Sequence, residues 1–383
     1  MGPVDAEVGV IGLGSMGSAA LWQVAARGVE VIGFEQFEPG HQLGAAQGES
    51  KIFRTAYAEG PEYVPLLRAV LPLWRQLEEE TGRPLLTMTG GMMIGPLDHD
   101  FIGRALRSAR EQGLLHSVFD AREAEQRWPQ LRVPPGEHVV WEPRAGVLRP
   151  ELAVITALER ARELGAGVVP NVRVQSVAQV GDQVEIRTED RTWRVGRVIL
   201  ALGSWVGKVI GNGQLPFWVE RQVQAWFPVE DPALYHPERF SIFIRALDAE
   251  STWYGFPTLD GRAIKVAFHH FGGRPSDPDT LDREVYDADI EPLREIAMAN
   301  LRGLRPEVVK TQVCMYCNTP DGHFVIGPMP GSPRIVLCGP MAGHGFKFSP
   351  LVGAIGADLV IEGRTNFDIR PFDPGRLRAL AAV

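Results

Sequence analysis

Gly12-Leu13-Gly14-Ser15-Met16-Gly17 spaces three glycines as a pyrophosphate-binding turn requires. Glycine permits the tight turn and lets phosphate oxygens reach backbone N–H groups at the positive start of the following helix. Glu35 closes the next apolar run 18 residues after Gly17, where a carboxylate accepts hydrogen bonds from ribose hydroxyls. An acid there disfavours a 2′-phosphate, so NAD or FAD is expected rather than NADP. The turn alone does not separate those two.

Two further groupings could do chemistry. Residues 263–269 alternate as a strand, which puts Lys265, Ala267 and His269 on one face and Ile264, Val266 and Phe268 on the other. The polar face is either a solvated sheet surface or a pocket wall in which small Ala267 leaves room between two polar groups. Cys314-Met315-Tyr316-Cys317 has the spacing of a redox disulfide or half a zinc site. There is no second cysteine pair and no histidine pair at ligand spacing, and strand alternation sends Cys314 and Cys317 to opposite faces. No metal site is expected. With Cys338 the cysteines form an odd set near the end of the chain, unlike a disulfide framework.

The elements that must carry these residues are legible in the pattern. An apolar run from Val8 to Leu13, a helix from Ser15 to Arg27 and a second run from Val31 to Phe34 form a β-α-β unit. Apolar spacing through Val64, Leu67, Leu71, Trp74 and Leu77 predicts a long helix from Pro61 to Thr81, stopped by Gly82 and open to a kink at Pro72. A helix from Glu151 to Leu164, strands at Val172–Val174 and Val184–Ile186, and a core strand from Arg197 to Leu202 follow. Between Phe217 and Phe268 the pattern is mostly strands with a turn at Asp260-Gly261, the mark of an antiparallel sheet. A run from Ile335 to Cys338, a glycine-rich loop and a helix from about Ser349 to Glu362 complete the chain.

Composition narrows the function classes. With 383 residues and 45% hydrophobic content the chain can bury a large core in two domains or one interleaved pair. Lys and Arg total 39 against 47 Asp and Glu, a net charge of −8 without charged blocks, so nucleic acid is not expected as a partner. No apolar run approaches the roughly 20 residues that cross a bilayer, and the start lacks the basic end and cleavage site of a secretion signal. No membrane association and a cytoplasmic address are expected.

Residues 48–57, Gly48-Glu49-Ser50-Lys51-Ile52-Phe53-Arg54-Thr55-Ala56-Tyr57, follow the β-α-β unit. This stretch resembles its counterpart in the monomeric sarcosine oxidase and N-methyltryptophan oxidase family, within the D-amino acid oxidase-like superfamily. Trp253-Tyr254-Gly255-Phe256-Pro257 with Lys265 and His269, then Cys314-Met315-Tyr316, then Gly343-His344-Gly345-Phe346-Lys347-Phe348 match in order. The resemblance spans nearly the whole chain.

The resemblance implies an α/β fold: a Rossmann-like FAD-binding domain (1–85, 145–215 and 320–383) interleaved with a mainly antiparallel, α+β substrate domain (86–144 and 216–319). It implies FAD, attached through a thioether from Cys314 to the flavin 8-methyl group, with Lys51, Val174, Gly343, His344, Gly345, Phe346 and Lys347 at the cofactor. It implies oxidation of a small secondary-amine amino acid to an imine, with O₂ reduced to hydrogen peroxide, by a monomer. Arg54 and Lys347 become the cations that anchor the substrate carboxylate; the alternatives are an ion pair of Arg54 with surface Glu59 or Glu62, and a solvated Lys347. Lys265 becomes the fixed charge that assists oxygen, while Tyr254, His269 and Tyr316 become pocket residues. A neutral bound amine supplies its own lone pair, so no catalytic base is assigned. The chain departs from the family pattern at Ala46, Gln47 and Lys51, where well-known members carry two histidines and an arginine beside the flavin.

Two other readings stay open at this point. An NAD-linked dehydrogenase of amino or hydroxy acids needs only the N-terminal turn. A non-catalytic flavin-carrying subunit leaves Arg54, Lys265 and Lys347 without a task.

Overall fold

The computed structural model describes residues 4–210, 215–249, 251–269 and 274–380. Three sheets, of eight, nine and three strands, organise them. In the eight-stranded sheet, Ala6–Ile11 lies in the middle, parallel to Val31–Phe34 on one side and to Thr192–Leu200 on the other. Gly167–Val169 extends the first side, and Ser332–Cys338 joins Thr192–Leu200 in parallel at Val198 to Leu200. The chain therefore leaves the central strand in opposite directions, which opens a crevice at the strands' carboxyl ends.

Helix Ser15–Ala25 is buried from Met16 to Ala25, because it is enclosed by the sheet and by helices Pro150–Glu163 and Ser349–Glu362. The contact with the last helix is backbone on backbone: a Cβ on Gly353 would stand 2.5 Å from the carbonyl carbon of Ala19. That close approach packs the glycine turn against the rest of the crevice. Helix Tyr63–Thr81 continues through Pro72 and ends at Gly82, whose φ of 68° is the left-handed cap that glycine adopts without strain.

The nine-stranded sheet runs in the order Arg274–Ser276, Trp218–Pro228, Ala263–His269, Thr252–Gly255, Ile242–Ala246, Gly91–Gly95, His138–Glu142 and Ser117–Asp120, with Lys310–Asn318 also paired to Trp218–Pro228. All its pairings are antiparallel except Ile242–Ala246 with Gly91–Gly95. Lys51–Phe53, Gly146–Leu148 and Leu86–Met88 form the small third sheet.

One expectation from the pattern is corrected, and one alternative is removed. Val172–Val174 is not a strand; the strand is Gly167–Val169, and the chain then breaks at Pro170 and at Asn171, which has a φ of 58°. Val172 N–H donates to Glu35 O at 2.9 Å, so this irregular stretch crosses the strand ends instead of joining them. The face bearing Lys265 and Ala267 is not a solvated sheet surface, since both residues are buried.

Candidate active site

A cavity of about 490 Å³ runs between the two large sheets. At one end it is lined by Gly12 and Gly14, Glu35, the crossing segment 172–175 and Trp205. At the other lie Arg54, Glu59, Tyr254, His269, Tyr316 and the C-terminal loop from Gly343 to Lys347. The volume is within the usual range for small-molecule sites, about 300–1,000 Å³.

The glycine turn is built by contact limits. Gly12 has a φ of 83°, and a Cβ on Gly17 would stand 1.7 Å from Gly12 O, so Gly17 shapes the turn from behind the lining. A Cβ on Gly14 would meet nothing within 4 Å, because that position faces the open cavity. Helix Ser15–Ala25 begins with no side-chain cap and no acidic residue in its first turn, leaving its N–H groups and positive end to a ligand. Glu35 is buried; it accepts from Leu13 N–H at 2.7 Å and Phe37 N–H at 3.2 Å, with His41 Nε2 at 3.6 Å.

At the other end, Glu142 on strand His138–Glu142 reaches across and accepts from Thr55 N–H at 3.0 Å, Ala56 N–H at 2.8 Å and Thr55 Oγ1 at 2.8 Å. Burial holds its carboxyl above the ordinary value against these donors. The clasp fixes the loop that carries Arg54. The Arg54 side chain is 4% exposed, donates to Ala56 O at 2.8 Å and pairs with the Glu59 carboxylate. The ion pair considered as the alternative for Arg54 is thus present, but inside the cavity wall. Burial pushes the Glu59 carboxyl up, yet Arg54, followed by His344 and Lys347, outweighs it and leaves Glu59 below its ordinary value.

Lys347 is buried in the same wall, so the solvated alternative fails for it. Its Nζ donates to His344 O at 2.7 Å and Tyr57 Oη at 3.3 Å, and lies 5.0 Å from the Tyr57 ring, over which Arg54 sits at 4.5 Å. Arg54 and Lys347 therefore both stand beside one aromatic ring and share one cavity. Burial, then the like charge of Arg54, bring Lys347 down to about 7 against the pull of Glu59. Tyr57 also contacts His344 Nδ1 at 2.6 Å. Sequence reasoning gave Tyr57 and Glu142 no role; the only local signal is that Tyr57 and Glu59 stand three and five residues beyond Arg54.

His269 Nδ1 lies 3.2 Å from Tyr316 Oη, and both line the cavity with Tyr254, whose phenol burial pushes up to about 12. Gly343, His344, Gly345, Phe346, Lys51 and Val174 line it as well, and so does Cys317.

Lys265 and Cys314 do not reach the lining. The Lys265 ammonium is drawn to two backbone carbonyls, Gly48 O and Ser50 O, each at 2.6 Å, and burial with Lys51 nearby holds it well below its ordinary value. Cys314 is buried behind Lys51, its Sγ 4.0 Å from Lys51 Nζ and 3.8 Å from Ala45 O. Gln47 donates to Val313 O at 2.6 Å and so ties this loop to the cysteine strand.

The FAD dependent oxidoreductase family matches residues 7–359. The chain belongs to that family. It is similar to monomeric sarcosine oxidase of Streptomyces avermitilis, with 39% identity over 98% of this chain and 99% of the relative. It is also similar to N-methyl-L-tryptophan oxidase of Salmonella dublin, with 31% identity over 95% of this chain and 96% of the relative. Its fold matches that of NikD, described as an unusual amino acid oxidase essential for nikkomycin biosynthesis, at a TM-score of 0.85 with 24% identity, covering 97% of this chain and 98% of that one. Membership of an FAD family disfavours the NAD-linked reading.

The residues present fit FAD. The uncapped helix start and the open space at Gly14 suit a pyrophosphate, and Glu35 keeps lone pairs for a ribose. The cavity continues unbroken from there to Lys51 and the C-terminal loop.

Proposed function

We propose that this FAD-dependent oxidoreductase is an amine oxidase. It oxidises a small amino acid with a secondary amine, such as sarcosine, another N-alkyl glycine or a cyclic imino acid, to an imine that hydrolyses, and O₂ becomes hydrogen peroxide. One observation carries the reading: Arg54 and Lys347, both buried, face one end of a cavity whose other end suits a dinucleotide. The names of the relatives, which act on sarcosine and N-methyl-L-tryptophan, support the substrate class.

Bound FAD supplies a two-electron acceptor for the C–H bond beside the amine. Gly12, Gly14 and the first N–H groups of the helix hold the pyrophosphate, Gly17 keeps the turn closed, and Glu35 takes the ribose. Lys51, Val174, Gly343, His344, Gly345, Phe346 and Lys347 line the remaining length. The Arg54 fork and the Lys347 ammonium grip the substrate carboxylate and so fix the carbon to be oxidised. Tyr254, His269 and Tyr316 form the facing wall. The substrate reacts as its neutral amine, so no side chain serves as base. Lys265, whose ammonium Gly48 O and Ser50 O hold in place, contributes positive charge that favours electron transfer to oxygen. Cys314, which lies behind Lys51, would hold the flavin covalently through a thioether to its 8-methyl carbon, the thiol and the methyl group each giving up a proton and the two electrons passing through the flavin to O₂.

Residues 1–85, 145–215 and 320–383 make the FAD-binding domain, and 86–144 with 216–319 the substrate domain; the eight-stranded sheet draws its strands from the first set and the nine-stranded sheet from the second. The protein acts as a monomer in the cytoplasm; among the described residues no helix is long and apolar enough to cross a membrane.

Oxygen uptake and peroxide release by the purified yellow protein, measured with sarcosine, proline, pipecolate and N-methyl-L-tryptophan, test the proposal. At least one amine is expected to give peroxide in equal amount to the oxygen consumed. Bound flavin that none of them reduces anaerobically would favour the non-catalytic carrier instead.

A further inference from the structure

Carboxylate anchoring by Lys347 gives no task to the short contact between Tyr57 and His344 beside it. His344 Nε2 lies 3.1 Å from Gly322 O, and a carbonyl oxygen only accepts, so Nε2 carries the proton. Burial brings His344 down to about 4, which leaves a neutral ring with a single N–H at neutral pH. Its Nδ1 is therefore a bare acceptor, and the Tyr57 hydroxyl at 2.6 Å donates to it. With that hydrogen committed, Tyr57 Oη offers only lone pairs to Lys347 Nζ at 3.3 Å. The backbone carbonyl of His344 adds a second acceptor at 2.7 Å. Among the described residues two acceptors thus lie within hydrogen-bond distance of Lys347 Nζ, and no donor does.

We propose that Tyr57 and His344 are positioning residues whose one-way hydrogen-bond chain, from Lys347 through Tyr57 to His344 and Gly322, keeps Lys347 an ammonium that presents an N–H to an incoming carboxylate. This rests on the reading that Lys347 anchors the substrate carboxylate. A reversed Tyr57 hydroxyl would point a hydrogen at Nζ and favour the uncharged amine, whose lone pair repels a carboxylate. The charged and titratable groups facing Lys347 are Arg54, Glu59, Tyr57 and His344; those facing His344 are Glu59, Lys347, Arg54, Tyr57 and Tyr63. Arg54 opposes the charge on Lys347 and Glu59 favours it, so the hydroxyl direction acts on a group already poised near neutrality.

The probe is acetate, titrated against the FAD-loaded enzyme by its flavin spectrum from pH 5.5 to 9. In the natural protein the dissociation constant is expected to be flat at low pH and to rise about tenfold per pH unit above one break. Tyr57→Phe removes an acceptor and His344→Leu frees the Tyr57 hydrogen, so each should lower the break by about one pH unit. His344→Gln retains an acceptor for Tyr57 and a donor for Gly322, and should restore the break. Breaks that stay put in Tyr57→Phe and His344→Leu, with affinity merely weakened at every pH, overturn the proposal. Lys347→Met separates the two levels: it should abolish the break, and an unchanged profile in that variant refutes carboxylate anchoring by Lys347 itself. Should Tyr57→Phe fail to hold FAD, the contrast between His344→Leu and His344→Gln decides.

Discussion

Arg54 and Glu59 form an ion pair within the cavity wall, with the Arg54 side chain 4% exposed and that of Glu59 20%. A carboxylate entering the cavity therefore meets a cation that already has an anion. Glu59→Gln leaves Arg54 buried and unpaired, which should cost about 3 kcal/mol of stability. Acetate should then serve as replacement counterion. Thermal melts are expected to show a lower midpoint for the variant, recovering more with acetate than the natural protein does. Equal acetate effects in both proteins would dissociate Glu59 from the site.

The depressed ammonium of Lys347 makes a pH-dependent stability prediction. Its folded value, about 7, lies below an unfolded value near 10.4, so between these the unfolded chain holds the extra proton. The penalty for burying the charge is full below pH 7 and is relieved as pH rises towards the unfolded value. Lys347→Met should accordingly stabilise the protein at pH 6, by on the order of 5 kcal/mol at most, and far less at pH 10. Urea unfolding at the two pH values checks the sign.

Two glycines of the turn should fail differently. Gly17→Ala forces a Cβ to within 1.7 Å of Gly12 O, which no side-chain movement relieves, so the turn itself must deform and the melting temperature should fall. Gly14→Ala meets no protein atom within 4 Å, so the fold should survive while FAD is lost from the space the methyl takes. The ratio of flavin to protein absorbance, read beside the melting curve, separates these outcomes.

Lys265 is held by Gly48 O and Ser50 O, away from the cavity lining. If its charge serves oxygen, Lys265→Met should slow reoxidation about 10²-fold or more and leave anaerobic reduction by substrate less affected. Stopped-flow measurement of the two half-reactions gives the comparison; equal losses in both would assign Lys265 to loop structure.

Cys314 and Cys317 offer a paired test of attachment. Acid precipitation of the natural protein should leave the colour in the pellet, Cys314→Ser should release it to the supernatant, and Cys317→Ser should behave as the natural protein. Colour in the supernatant of the natural protein would show that the flavin is not covalent.

Much of this could be read from residue order because the controlling interactions are local. The glycine turn, the stop at Gly82 and the helix Ser349–Glu362 depend on neighbours a few positions away. Val172–Val174 misled because apolar content suggests a strand while Pro170 and the left-handed Asn171 break it. Alternation put Lys265 and His269 on one face, but it gives direction and not depth; only His269 reaches the cavity. An ion pair and a buried position in the cavity wall looked like alternatives for Arg54. They coexist because Glu142, 87 residues away from Thr55, pulls the loop inward, and no local pattern announces that clasp.

Strand Ser332–Cys338 and the loop after it complete a crevice begun by residues 6–35. During synthesis the first β-α-β unit leaves the ribosome some 300 residues before Lys347 does. The nascent chain can close its glycine turn early, yet it has no finished cleft to clasp a nucleotide until residues 332–347 have been made. Cofactor capture should consequently wait for those residues, and a product terminated before them should emerge colourless.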